Sequence, residues 1–478
     1  MLSKIQPRYW ALLTLCLWGG AILYFNLVRF TPYGMDEGGA MALLINWSVL
    51  EQIANPIVTL GMPDFRALLF IPLGIYWPGS IVAAKIFTLL VTFIAAMFFY
   101  SWSKQKDDEE TALIATGLLL ITPLTIMQID AIGVGPYLLF VFGLGMFVDH
   151  RHRSNERSIN SWYFLQLLLV AKAVTLHPIG LAYPLALVWK WTKEPVDKER
   201  QTHIFIGLGI TVFLILVMQA GWISLGWFSN PLFSLTNAII GADPAGLGNI
   251  EQRWLPGLIT LALAITILVL DWRFLISDLL GSALLFGISI GFLVADSAWA
   301  MLVVSLILYR GTPWLIKANT VIKSMNFIGQ RGIVLGAIFI LATLFMQADK
   351  MFSLQITNGV LSPTDELIQS METTTKNADH SVRIASQWPA RTMIAVKHAV
   401  LPLPPSAKNG ESLLKMIKGV TYIMFDQNNP SNTDLARNFA EISGKTETIS
   451  VQQGGVIIKI RDQETQPDHA GKAEPDKS

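Results

Sequence analysis

Cysteine is almost missing from this sequence. Cys16 stands alone inside an apolar run, so no internal disulfide can form and redox compartment cannot be read from cysteine usage. Charge is scarce too. Asp, Glu, Lys and Arg make up 14% of the chain, against about 25% in a soluble protein. The formal net charge is +1 and no basic patch interleaves with aromatics, so nucleic acid is not an expected partner. P-loop, G-x-S-x-G, H-E-x-x-H and C-x-x-C signatures are all absent, which leaves the chemistries tied to them without a carrier. No solenoid-type repeat occurs.

What the sequence does have is apolar length. It is 52% hydrophobic, with a mean hydropathy of +0.48. This composition points to a membrane protein. Fifteen tryptophans suit interfacial belts. Lys4 and Arg8 precede the apolar run Tyr9–Val28, which is near the ~20 residues that span a bilayer and has no small-x-small cleavage site before Arg29. It is expected to be a retained first helix with its amino end inside.

Further spans are expected at Ser80–Tyr100, Thr111–Ile129, Ile132–Val148, Trp162–Thr175, Ile179–Trp191, Ile204–Ala220, Leu255–Leu270, Leu275–Val294, Ala295–Tyr309 and Ile333–Met346. The fold class is thus an α-helical polytopic membrane protein of about eleven transmembrane helices. Lys and Arg concentrate on one side, in the loops around Lys104, Arg151, Lys190, Arg273 and Arg310. That bias makes those loops cytoplasmic and puts the carboxyl end outside.

Three parts are expected. Residues 1–347 form the transmembrane domain, with a first outer loop at 30–79. Residues 348–462 form a small outer α/β domain, whose strands are expected at Val382–Ser386, Val420–Phe425 and Gly455–Ile460. Its helices are expected at Ser412–Lys418 and Thr433–Ile442. Residues 463–478 read as a polar, disordered tail. Within the first loop, Gly38–Ala54 has helical apolar spacing at Met41, Leu44, Trp47, Leu50 and Ile53, with Asn46 and Glu51 opposite. This predicts an amphipathic helix lying in the interface.

The residues able to carry chemistry are few. Asp36 and Glu37 sit in Thr31-Pro32-Tyr33-Gly34-Met35-Asp36-Glu37-Gly38-Gly39, just past the first span. A carboxylate there can take a proton from a hydroxyl or hold a divalent cation. The competing reading is that Asp36 caps the following helix and Glu37 favours its positive end. Asp130, at the outer end of a span, is either functional or a solvated turn residue. Arg66 and Lys85 are among the few cations on the outer side. They could meet a lipid phosphate, and Lys85 could equally snorkel to the interface. Lys172 and His177 flank another outer helix end. His177-Pro178 marks where that helix stops. Asp149-His150-Arg151-His152-Arg153 lies among cytoplasmic arginines and reads as a topology-setting loop, so no metal site is assigned.

The layout resembles the GT-C superfamily of integral-membrane glycosyltransferases, in the branch of protein O-mannosyltransferases and aminoarabinose transferases. The resemblance is carried by Met35-Asp36-Glu37 and the helix after it, Gly61-Met62-Pro63, Trp77-Pro78-Gly79-Ser80 and Ala83-Ala84-Lys85-Ile86, in that order. It covers roughly residues 33–148. It implies a polyprenyl-phosphate-sugar donor, membrane lipids as surroundings, a lipid, glycan or protein acceptor, and inversion at the sugar carbon in the inner (plasma) membrane. On that pattern Asp36 matches the base, Asp130 the later acidic residue and Lys85 the usual basic position. Two places depart from it. Pro63-Asp64-Phe65-Arg66 replaces a basic Pro-rich cluster, where Arg66 would stand in, and Gly38-Gly39 follows Glu37. Two other functions remain open: an inactive scaffold of the same fold, and a transporter, for which only Lys172 and Asp278 come near the interior.

Overall fold

Glycine and proline punctuate the first part of the chain, and several of its helices begin or end beside them. The computed structural model describes residues 35–51, 65–106, 109–121, 123–154, 159–193, 202, 205–210, 212–213, 279–291, 363–376, 382–405, 407–427, 429, 432–452 and 455–461. The chain divides into two units, Met1–Ser362 and Pro363–Ser478. The expected spans at Tyr9–Val28, Leu255–Leu270, Ala295–Tyr309 and Ile333–Met346 lie outside the described residues, as do most of Ile204–Ala220 and the tail.

In the first unit, helix α1 is Glu37–Glu51, α2 Phe65–Leu69, α3 Ile71–Tyr76 and α4 Ile81–Lys106. Gly79, with φ +76°, makes the turn into α4, and the Ser80 hydroxyl accepts from Ala83 N at 3.2 Å. Then follow α5 Glu109–Ile121, α6 Pro123–Asp130, α7 Gly135–Ser154, α8 Ile159–Leu176, a 3-10 turn Pro178–Leu181, α9 Ala182–Lys193 and α10 Leu279–Gly291. The expected span Thr111–Ile129 is thus two helices. Pro123 has no N–H to donate, so the ladder breaks there. The Thr125 hydroxyl donates to Leu119 O at 2.8 Å and satisfies an acceptor at the break.

Among the described residues, Ile81–Lys104 is the one helix long and apolar enough to cross a membrane, with 24 residues and a hydropathy of 2.3. Gly135–Asp149 and Phe164–Leu176 are shorter apolar helices. Helix α4 is apolar all round. Ala84, Val91, Ala95 and Phe99 are buried, while Leu90, Ile94 and Met97 are exposed along another stripe. An exposed stripe of that kind suits lipid better than water.

Helices α4 and α7 run side by side in the same direction. The Thr88 and Tyr137 hydroxyls share a hydrogen bond of 2.7 Å near the helix starts. Further along, Phe98 packs on Phe140 and Phe147. Helix α8 returns alongside α7, where Gln166 Nε2 donates to Gly145 O at 3.2 Å. Tyr183 of α9 donates to Gln166 Oε1. A methyl on Gly145 would overlap the Tyr183 ring, and one on Gly180 would overlap the Ala173 carbonyl. These are close backbone approaches of the kind that hold membrane helices together. At one end of the bundle Lys190 pairs with Asp149 and Lys104 with Glu109 at 3.1 Å.

Helix α1 differs from expectation. Asn46 is buried, not set on a wet face. Its amide donates to Ala42 O at 2.7 Å and to Ala67 O at 2.8 Å, which ties α1 to α2. Leu43, Leu44 and Trp47 are buried as well, so the helix packs on more than one side.

The second unit is a mixed five-stranded sheet with helices. Its elements are α11 Pro363–Thr375, β1 Ile384–Ser386, α12 Pro389–Val396, β2 Val400–Pro402, α13 Gly410–Met416, β3 Tyr422–Asp426, α14 Thr433–Glu441, β4 Thr446–Gln452 and β5 Gly455–Ile460. The strand order is β2-β1-β3-β5-β4. Strands β2, β1 and β3 are parallel, while β5 and β4 are antiparallel. Phe425 stacks on Phe439 at 5.7 Å in a core with Leu413, Ile417 and Ile458. Asn409 caps α13 by accepting from Ser412 N at 2.9 Å.

The close approaches fix the sign of two substitutions. Gly180→Ala should destabilise the purified protein by about 1–3 kcal/mol, because the colliding atoms are backbone. Gly117→Ala, in α5 with nothing within 4 Å of the new methyl among the described residues, should stabilise it by about 0.5–1 kcal/mol. Thermal unfolding in detergent reads both.

Candidate active site

The turn between α6 and α7 is the centre of the site. Ile132 has φ +53°, a left-handed conformation that a β-branched residue rarely adopts. Neighbouring contacts hold it there. Gly133 N donates to Gln128 O at 2.7 Å, and Gly135 N donates to the Gln128 side chain at 3.1 Å. The Ile132 side chain is fully buried. Strain of about 1–3 kcal/mol persists only where surroundings over-determine it. Here the turn aims two successive carbonyls at the start of α1 and at α2. Ala131 O accepts from Asp36 N at 2.7 Å. Ile132 O accepts from Arg66 Nη1 at 2.8 Å.

Asp36 precedes α1 and caps it, with Oδ2 accepting from Gly39 N at 3.3 Å. The same oxygen takes Arg66 Nη1 at 2.6 Å. The two readings of Asp36, as helix cap and as reactive carboxylate, are therefore compatible. Oδ2 is engaged, while Oδ1 accepts from none of the described residues and the side chain is 41% exposed. Arg66 is the opposite case, a guanidinium whose side chain is only 3% exposed. Gly39 lets these parts meet, since a methyl there would stand 2.7 Å from Ile132 O and 3.4 Å from Arg66 Nη1. The departure Gly38-Gly39 thus has a steric reason at its second residue. Glu37 begins α1 and is partly buried.

Asp130 ends α6, and its Oδ1 accepts from Lys85 Nζ at 2.6 Å. Lys85 is 8% exposed and Asp130 19%. Lys85 therefore turns inward to a carboxylate; it does not snorkel. Lys172 in α8 holds its Nζ 4.6 Å from the Phe65 ring centroid, beside Arg66 in sequence. His177 Nδ1 accepts from Ile179 N at 3.2 Å and caps the 3-10 turn.

The structure thus brings Asp36, Arg66, Lys85, Asp130 and Lys172 to one end of the helix bundle. Sequence reasoning missed Ile132, Gln128 and Phe65. Gly133 and Gly135 signal a tight turn, but nothing in the sequence marks Ile132 as its strained residue. Among the described residues no three His, Cys, Asp or Glu side chains group as a metal site. Of the two paired carboxylates, Asp36 is the one with an oxygen open to a hard cation.

No protein-family profile matches the chain. A curated relative, NADH-quinone oxidoreductase subunit N 2 of Hydrogenobaculum, is 27% identical over 173 residues, covering 34% of each chain. The chain thus spans about a third of that relative's length. Solved structures match far more of it. ArnT from Cupriavidus metallidurans in the apo state aligns over 94% of this chain and 98% of its own, with a TM-score of 0.51 and 12% identity. The same protein bound to undecaprenyl phosphate aligns over 93% and 97%, with a TM-score of 0.50 and 12% identity. The apo oligosaccharyltransferase of Archaeoglobus fulgidus aligns over 88% of this chain and 70% of its own, with a TM-score of 0.51 and 12% identity. By fold, this chain is similar to GT-C membrane glycosyltransferases.

Proposed function

We propose that this protein is a membrane glycosyltransferase that moves a sugar from a polyprenyl-phosphate carrier to a hydroxyl acceptor, with Asp36 as general base. The observation that carries the reading is the state of Asp36: one oxygen is fixed by the helix start and by Arg66, and the other is open on a half-exposed side chain. A base must be held in place and still be reachable. The fold likeness supports the donor class, since one of the similar structures holds undecaprenyl phosphate.

In the proposed reaction the acceptor oxygen attacks the sugar carbon from the face opposite the carrier. The new glycosidic bond forms as the carbon–oxygen bond to phosphate breaks. The phosphate leaves with that electron pair, and the acceptor proton passes to Asp36 Oδ1. Cations beside the leaving group stabilise its growing charge. Lys85 and Arg66 hold Asp130 and Asp36 in place at this end of the bundle, and Glu37 completes the acidic set. The acceptor is a lipid, glycan or protein on the outer face, in a topology with the amino end cytoplasmic and the second unit outside.

Asp36→Asn keeps a capping oxygen for Gly39 N but removes the base. Transfer from polyprenyl-phosphate sugars in isolated membranes should fall by about 10²–10⁴-fold per amount of folded protein, the amount being measured separately because Arg66 also loses its counter-charge. Transfer at the wild-type rate would sink the assignment. The second pair gives a stability test. Lys85→Gln should cost about 2–3 kcal/mol, less than the about 3–5 of a fully buried pair, because Asp130 keeps some solvent contact. Adding Asp130→Asn should recover most of that loss in detergent unfolding curves.

A further inference from the structure

Three cations gather at this end of the bundle, and they are not equivalent. Arg66 faces Asp36 at 2.6 Å and the Ile132 carbonyl at 2.8 Å. Lys85 faces Asp130 at 2.6 Å. Each pair is formally neutral, and both cationic side chains are less than a tenth exposed. An incoming phosphate could take either one only by leaving a carboxylate without its counter-charge in a poorly solvated place. Such an exchange is strongly unfavourable.

Lys172 is built differently. Among the described residues no carboxylate lies within ion-pair distance of its ammonium, which sits instead over the Phe65 ring at 4.6 Å. A ring face orients an ammonium without cancelling its charge. It also leaves part of the three-donor head open. Phe65 opens α2 immediately before Arg66, so the ring that steadies Lys172 belongs to the same short helix that holds the Asp36 partner. The side chain is only partly buried. The last helical turns of α8 therefore place an un-neutralised cation beside two pairs that are already balanced.

We infer that Lys172 is the residue that takes the phosphate of an incoming polyprenyl phosphate, while Arg66 and Lys85 stay with their carboxylates. This rests on the transferase reading given above and adds to it a specific phosphate contact. The chemistry recognised is a phosphate monoester on a long apolar chain. Phe65 serves as a positioning residue that keeps the ammonium aimed.

The test is direct binding of undecaprenyl phosphate to the full-length protein in detergent. Undecaprenol, phosphatidylglycerol and inorganic phosphate serve as comparison ligands. A single charge-assisted contact predicts that Lys172→Gln weakens undecaprenyl phosphate binding by about 10- to 100-fold. Lys172→Arg should stay within about threefold of wild type, since it keeps a charge that an aromatic face can hold. Undecaprenol binding should be the same in wild type and Lys172→Gln. Gel filtration and a thermal midpoint close to wild type confirm that the variant is folded.

Unchanged binding of undecaprenyl phosphate by folded Lys172→Gln would overturn the inference and leave the transferase reading standing. An equal loss of undecaprenol binding would also overturn it, because the contact would then be apolar. Displacement of undecaprenyl phosphate from the wild type by phosphatidylglycerol or inorganic phosphate at equal concentration would reduce the site to a general anion contact and overturn it too. If wild-type protein binds no undecaprenyl phosphate at all, both readings fall together.

Discussion

One buried guanidinium ties α1 and α2 to the rest of the bundle. Arg66 donates from a single nitrogen to the Asp36 carboxylate and to the Ile132 carbonyl. Taking such a group out of water is costly unless charge and hydrogen bonds compensate it. Here the compensation comes from two segments far apart in sequence. Asp36 starts α1, Arg66 lies in α2, and Ile132 lies in the turn between α6 and α7. The Asp36 amide adds a third tie, to Ala131 O at 2.7 Å. The start of α1, α2 and the α6–α7 turn are thus joined through charge at Asp36.

Much of this arrangement could be read from residue types, and some of it could not. Helix α4 was legible because its apolar run is long and unbroken. Asp36, Arg66, Lys85 and Asp130 stood out as scarce charges in an apolar sequence, and they meet at one end of the helix bundle. How they pair was not legible, because pairing depends on where short helices fold back. Asn46 misled for a related reason. A polar residue opposite an apolar stripe usually faces water, but this one feeds a carbonyl at the end of α2. Strand β4, Thr446–Gln452, escaped notice because it is an edge strand with polar, exposed positions and a register shift between Thr448 and Ser450. Strand β5, apolar and central, was legible from Gly455 to Ile460.

Among the described residues of the first unit, the ion pairs lie at the two ends of the bundle, with hydroxyls between. Within the helices, Thr88, Thr92 and Thr116 return their hydrogens to carbonyls one turn back. This is how hydroxyls are tolerated away from water. Lys190 and Asp149 at one end, and Lys85 and Asp130 at the other, join helices that are not consecutive in the chain. Both pairs act as cross-links between separate segments, as well as balancing charge.

The break at Pro123 has a consequence of its own. A rod of nearly twenty residues ending in Asp130 would carry any tilt of its far end straight to the carboxylate. Jointed at the proline, the short piece Pro123–Asp130 is aligned by two contacts, Thr125 back to Leu119 of α5 and Gln128 forward to the turn before α7. The direction of α5 and the position of Asp130 are thereby set by different lengths of helix, coupled through one hydroxyl.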